Sequence, residues 1–173
     1  MAALNPQVIG KEMPHGFAGC YARQPDMIVE TRPAGGESAI PFGAPLVYDT
    51  TKPAVVAAGA GFTAANFVGV AGFEIKSALT YLEQQAGQYA PGEAVSVFQR
   101  GSINVKAYGA PALGGAVYVR TAVSDGSYTS EPVGAFTATN ESGKTVQLTN
   151  CQWGGAADAN GIAELVILTK ANA

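Results

Sequence analysis

The chain has 173 residues, of which 47% are apolar and only 13% charged, with 22 glycines and 10 prolines; the charged share is about half the roughly 25% of ordinary soluble domains. That length suits one domain with an arm, or one slightly large domain, and buries a core without staples. Ten basic against thirteen acidic residues, net charge −3, argue against direct nucleic-acid binding, which runs on clustered Lys and Arg.

A free monomer normally keeps its surface wet with Lys, Glu, Asp and Arg. So sparse a charge points to a surface covered by protein–protein contact, since interface cores are depleted in charge. A Gly/Ala-rich soluble domain with a neutral polar surface is the other reading. Cys20 and Cys151 have no CxxC spacing and no histidine cluster, which argues against zinc. Met1–Gly10 has no basic region followed by an apolar run, so two free, buried thiols are expected, with a disulfide left open.

In chain order, residues 1–38 come first. They hold Pro6, Pro14, Pro25 and Pro33 and most of the paired charges, Lys11-Glu12, Arg23, Asp26, Glu30 and Arg32. No period runs through them beyond Met27-Ile28-Val29, so they read as an extended N-terminal arm that must lie against something to be ordered. Residues 39–173 form the body. Its expected strands are Pro45–Tyr48, Ala54–Ala58, Asn66–Ala71, Ala94–Gln99, Ile103–Ala107, Ala116–Thr121, Gly134–Thr139, Thr145–Leu148 and Ala163–Leu168. Several alternate, as in Val117 and Val119 against Tyr118 and Arg120. Pro91-Gly92, Gly114-Gly115, Asp125-Gly126, Ser142-Gly143 and Asn160-Gly161 supply turns that need positive φ. Residues 53–73 carry no charge, yet their glycines and short β-branched runs predict buried β-structure and tight loops, not a membrane span. Only Glu74–Gln88 has helical spacing, through Ile75, Leu79 and Leu82. The chain is therefore expected to be all-β, a compact barrel or sandwich with at most one short helix.

The residues of catalysis are missing in pattern. The one histidine, His15, lies in the arm without a partner acid or nucleophile beside it. No GxSxG, EF-hand or phosphate-binding glycine loop occurs, and the acids Asp49, Glu93, Asp125, Glu141 and Asp158 stand singly beside turns. No enzyme activity, catalytic residue, metal or cofactor is expected. Phe62, Phe67 and Phe73 read either as core or as an oligomer interface. Tyr48, Tyr89, Tyr118 and Trp153 would form a sugar-stacking platform if exposed, so a carbohydrate-binding or adhesin-like β-sandwich is the alternative function.

Gly16–Arg32 (GFAGCYARQPDMIVETR), Ile40–Asp49 (IPFGAPLVYD), Tyr89–Val105 (YAPGEAVSVFQRGSINV), Gly134–Thr139 (GAFTAT) and the stretch Val146–Leu168 together resemble head cement, or capsid decoration, proteins of tailed bacteriophages. The resemblance implies a barrel, tulip-like or jelly-roll fold with an arm, working as a trimer or, less favoured, a dimer. It implies a structural protein of the virion, made in the host bacterial cytoplasm and bound to the capsid exterior. There it would bridge neighbouring major capsid protein subunits against internal pressure, touching neither DNA nor membrane. Arg23, Asp26, Ile28, Glu30 and Arg32 are the arm positions it offers as capsid contacts.

Overall fold

One long strand organises the chain. The computed structural model describes residues 14–74 and 87–169. Its strands are β1 (Tyr21–Pro33), β2 (Ile40–Pro41), β3 (Pro45–Tyr48), β4 (Val55–Ala57), β5 (Phe67–Ala71), β6 (Gln88–Tyr89), β7 (Ala94–Tyr108), β8 (Ala116–Arg120), β9 (Phe136–Thr137), β10 (Thr145–Trp153) and β11 (Ile162–Ile167), with a 3-10 turn at Ala64–Asn66. β7 pairs with four of them. Phe98 lies opposite both Val29 of β1 and Val70 of β5, so those strands flank opposite edges. Further along, Ile103 lies opposite both Tyr21 of β1 and Leu165 of β11, and Ala107 pairs in parallel with Phe136 of β9.

The ring β7–β11–β10–β8–β9 returns to β7, closing a barrel. The β5–β3–β4 ribbon leaves the other half of β7, and β2 pairs with β6 beside it. Two cores result. The barrel core gathers Phe98, Ile103, Val105, Val117, Val119, Phe136, Leu148, Trp153 and Leu165. The second packs Ile40, Leu46, Val55, Val68, Tyr89, Val95 and Val97. β7 feeds both, which is why burial along it is nearly continuous instead of alternating.

The expected all-β class holds, and the body strands lie close to their expected places. Ala94–Gln99 and Ile103–Ala107 are one strand, because Gly101 bends β7 without ending it. Its φ is +106°, and a Cβ there would run into the Asp26 carbonyl of β1. The Asn160-Gly161 turn leads into β11 as expected, with Gly161 at φ +72°; Gly126 needs no positive φ. The uncharged stretch 53–73 forms β4, the 3-10 turn and β5. The helix expected over Glu74–Gln88 falls mostly outside the described residues, and Gln88 itself begins β6.

Residues 21–33, read from sequence as part of an extended arm without a running strand period, form a strand. They are extended, and they lie on β7 of the same chain as β1. Register shifts at Tyr21/Arg23, Arg23/Ile28 and Ile28/Val29 break the two-residue alternation that marks a strand in sequence. Both thiols are free, as expected; Cys151 is buried and Cys20 half-buried. Burial pushes the Cys151 thiol up to about 12.

Gly101→Ala combines a disfavoured backbone angle with that collision against β1. A loss of about 1–3 kcal/mol in denaturant unfolding is expected, against little change for Gly155→Ala, where a Cβ meets nothing within 4 Å.

Candidate functional site

β8 ends on Arg120, and the chain then runs without regular strand through residues 121–135 before β9. This loop has little apolar mass of its own, and a buried ion cluster holds it. Arg120 donates through Nε and Nη2 to Glu131 Oε2 at 3.0 and 2.6 Å, and through Nη1 to Glu141 Oε2 at 2.8 Å. Ser124 Oγ donates to the second Glu141 oxygen at 3.1 Å, and Thr139 Oγ1 donates to Glu131 Oε1 at 3.4 Å. Lys144 joins Asp125 and Glu141 at the rim. Backbone bonds from Gly134 N–H to Arg120 C=O and from Arg120 N–H to Ala135 C=O close the loop base.

Arg120 is fully buried and Glu131 nearly so. Burial works against the Arg120 charge, and hydrogen bonds to Glu141 and Glu131 more than offset it, leaving the guanidinium pKa raised. The same Arg120 bond holds the Glu141 carboxyl below its ordinary range. Period-2 alternation places Arg120 with Tyr118, away from Val117 and Val119; the loop folds over that face and buries it. Acids eleven and twenty-one residues away leave no local spacing pattern that would have revealed the cluster.

The arm residues lie on β1. Arg23 donates to both oxygens of Glu164 on β11, at 2.6 and 3.0 Å, and this bond lowers the Glu164 pKa. Asp26 accepts from Arg100 of β7 at 3.2 Å. Glu30 accepts from Arg32 at 3.1 Å and from Gln99 at 3.3 Å. The charges of Arg23, Asp26 and Glu30 thus fasten β1 to β11 and β7, while Ile28, 44% exposed, and Val29 point outward. Among the described residues no strand other than β7 pairs with β1.

The three phenylalanines separate. Phe62 and Phe67, 4% and 1% exposed, belong to the barrel core, so an interface through their rings is corrected: neither offers surface to a neighbour. Phe73, 38% exposed, does. The sugar platform does not assemble either. Trp153 and Tyr89 are fully buried, and the Tyr89 hydroxyl donates to the Gly72 carbonyl at 2.6 Å. His15 is held by its backbone, its N–H donating to Asp158 Oδ2 at 2.9 Å.

A family model described as structural cement protein (E217 gp24/Pam3 gp6) matches residues 5–168. The chain therefore belongs to this family of phage structural cement proteins. A structural phage protein of this kind stabilises a capsid, belongs to the virion and associates with capsid proteins; the family is not an enzyme class. The fold is shared with a chain from a structure of the capsid of Myoviridae phage XM1, at TM-score 0.67 and 16% identity, over 97% of this chain and 99% of that one. No curated protein matches the chain.

Two outcomes test the cluster. Arg120→Ala strands Glu131 in a buried site, and unfolding by denaturant is expected to lose about 3–5 kcal/mol. The Glu141 carboxylate, depressed in the folded state, stabilises fully above its unfolded value of about 4.3. That contribution is lost as pH falls through the folded value. Unfolding free energy should therefore drop as pH falls below about 5, with a shallower drop in Glu141→Gln.

Proposed function

We propose that this protein binds the outer surface of an assembled phage head and bridges neighbouring major capsid protein subunits, stabilising the shell against internal pressure. The family match over residues 5–168 carries the reading. The surface agrees with it. Among the described residues β1 has an edge that no strand pairs, with Ile28 and Val29 outward, and an unpaired, partly apolar strand edge is a template for pairing with another chain. The ion pairs Arg23–Glu164 and Arg100–Asp26, which join β1 to β11 and β7, hold that edge in place before any partner arrives. Arg23, Asp26, Ile28, Glu30 and Arg32 are the proposed capsid contacts.

Preorganisation lowers the ordering cost of binding, and repetition of a modest contact over a symmetric shell multiplies it. Self-association, trimer before dimer, belongs to the same reading, as do a place on the capsid exterior and synthesis in the host cytoplasm.

Mixed with heads that lack it, the protein should co-sediment to a fixed stoichiometry. Ile28→Glu, which buries a charge in the proposed contact while leaving the body packed, should weaken that binding at least ten-fold. Failure of the unmodified protein to bind any such head would defeat the proposal.

A further inference from the structure

The backbone of β1 divides into two parts. Arg23 lies opposite Ser102 and Ile28 opposite Arg100, so residues 24–27 stand against Gly101 alone and bulge from the ladder. From Val29 to Pro33 the register is unbroken, with Val29 opposite Phe98 and Pro33 opposite Ala94. In an antiparallel ladder, successive residues turn their N–H and C=O alternately toward the neighbouring strand and away from it. The bonds at the end of β1 fix which residues turn away. Ala34 N–H donates to the Glu93 carbonyl at 2.7 Å, and Gly92 N–H donates to the Ala34 carbonyl at 2.9 Å. On the other edge of β7, Gly72 N–H donates to the Ser96 carbonyl at 2.7 Å. Glu30 and Arg32 therefore turn their amides to β7, while Val29, Thr31 and Pro33 turn theirs outward.

This outward edge is bounded at both ends. The bulge at residues 24–27 interrupts it on one side. On the other, Pro33 has no N–H to give, and Gly35 N–H already donates to the Val55 carbonyl of β4 at 2.8 Å. Between these limits Val29 and Thr31 each present an N–H and a C=O that no described strand takes up, and both side chains are exposed.

Two copies of this edge do not fit together. Each register of an antiparallel pair about a two-fold axis meets an obstacle. Val29 opposite Val29 puts Thr31 against residue 27, inside the bulge. Thr31 opposite Thr31 puts Val29 against Pro33, which lacks the N–H. Val29 opposite Thr31 sets the two Glu30 side chains directly across from one another, at the closer Cα spacing of about 4.5 Å, where like charges destabilise the pair. The edge suits a strand of a different chain, and the family to which this protein belongs associates with capsid proteins. We infer that an extended segment of a major capsid subunit adds to β1 as a further strand, bonded to the N–H and C=O of Val29 and Thr31, with no acid opposite Glu30. This rests on the capsid-binding reading and moves the centre of the contact from the charged side chains of β1 to the main chain of Val29 and Thr31.

Thr31→Pro removes an outward N–H and leaves the β7 ladder intact, since edge strands accept proline where the N–H faces away from the sheet. In co-sedimentation with heads that lack the protein, Thr31→Pro should bind at least ten-fold more weakly than the unmodified chain, with its melting temperature showing the body folded. Thr31→Val, which keeps the N–H, should bind as the unmodified chain does. Val29→Pro is made alongside, so that one misfolding leaves the other. Amide exchange on the free, unmodified protein adds a readout without substitution: Val29 and Thr31 should exchange faster than Glu30 and Arg32. Heads that bind the folded proline variants as well as the unmodified chain would overturn the inference while leaving the capsid-binding reading in place. Val29 and Thr31 amides as slow as those of Glu30 and Arg32 would also overturn it, because the chain's own residues would then cover the edge. So would loss of self-association in Thr31→Pro, measured by light scattering, since the occupant would then be a second copy.

Discussion

The structure depends on β7 being covered on every side. Its two edges carry β1 and β9 on one flank and β5 and β11 on the other. Its side chains enter both cores, Val95 and Val97 in one, Phe98, Ile103 and Val105 in the other. A strand of 15 residues so enclosed couples the barrel to the β5–β3–β4 ribbon through continuous backbone hydrogen bonds. Neither core can loosen without breaking a ladder that the other also uses. A closed barrel has no free edge to open, and β7 ties the ribbon to it.

The ion pairs then have a consistent role. Several of the few charges of this chain join elements distant in sequence. Arg23 ties β1 to β11, Arg100 ties β7 to β1, and Arg120 ties β8 to the loop before β9 and the turn after it. Outward on β1 lie the apolar Ile28 and Val29 together with the partly exposed charges of Arg23, Asp26 and Arg32. The buried Arg120 cluster is not a source of large net stability, because desolvation offsets most of the attraction. Its effect is to give residues 121–135 one conformation, since they lack the apolar mass to fold by packing.

Much of this was legible from sequence. Turn glycines and short β-branched runs located the body strands, and the absence of any acid–base–nucleophile pattern was itself informative. The losses have identifiable causes. β1 was hidden by its own irregularity, because three register shifts destroy the alternation that marks a strand. β7 was read as two pieces because a glycine inside a strand looks like a turn until the close approach of the Asp26 carbonyl is known. Phe62 and Phe67 could not be told from interface residues, since core and interface select the same rings. Arg120 alternated with valines like any outward residue, and only the folding of a distant loop buried it.

The account turns on residues 21–33 being a strand of the folded body, held on β7 in the free protein. Amide hydrogen exchange on the isolated, unbound protein measures this directly. The β7-facing amides of β1 should exchange as slowly as those of β7 between Val95 and Val105, by the same global opening. Exchange of residues 21–33 at the rate of an unstructured chain, with β7 still protected, would contradict it.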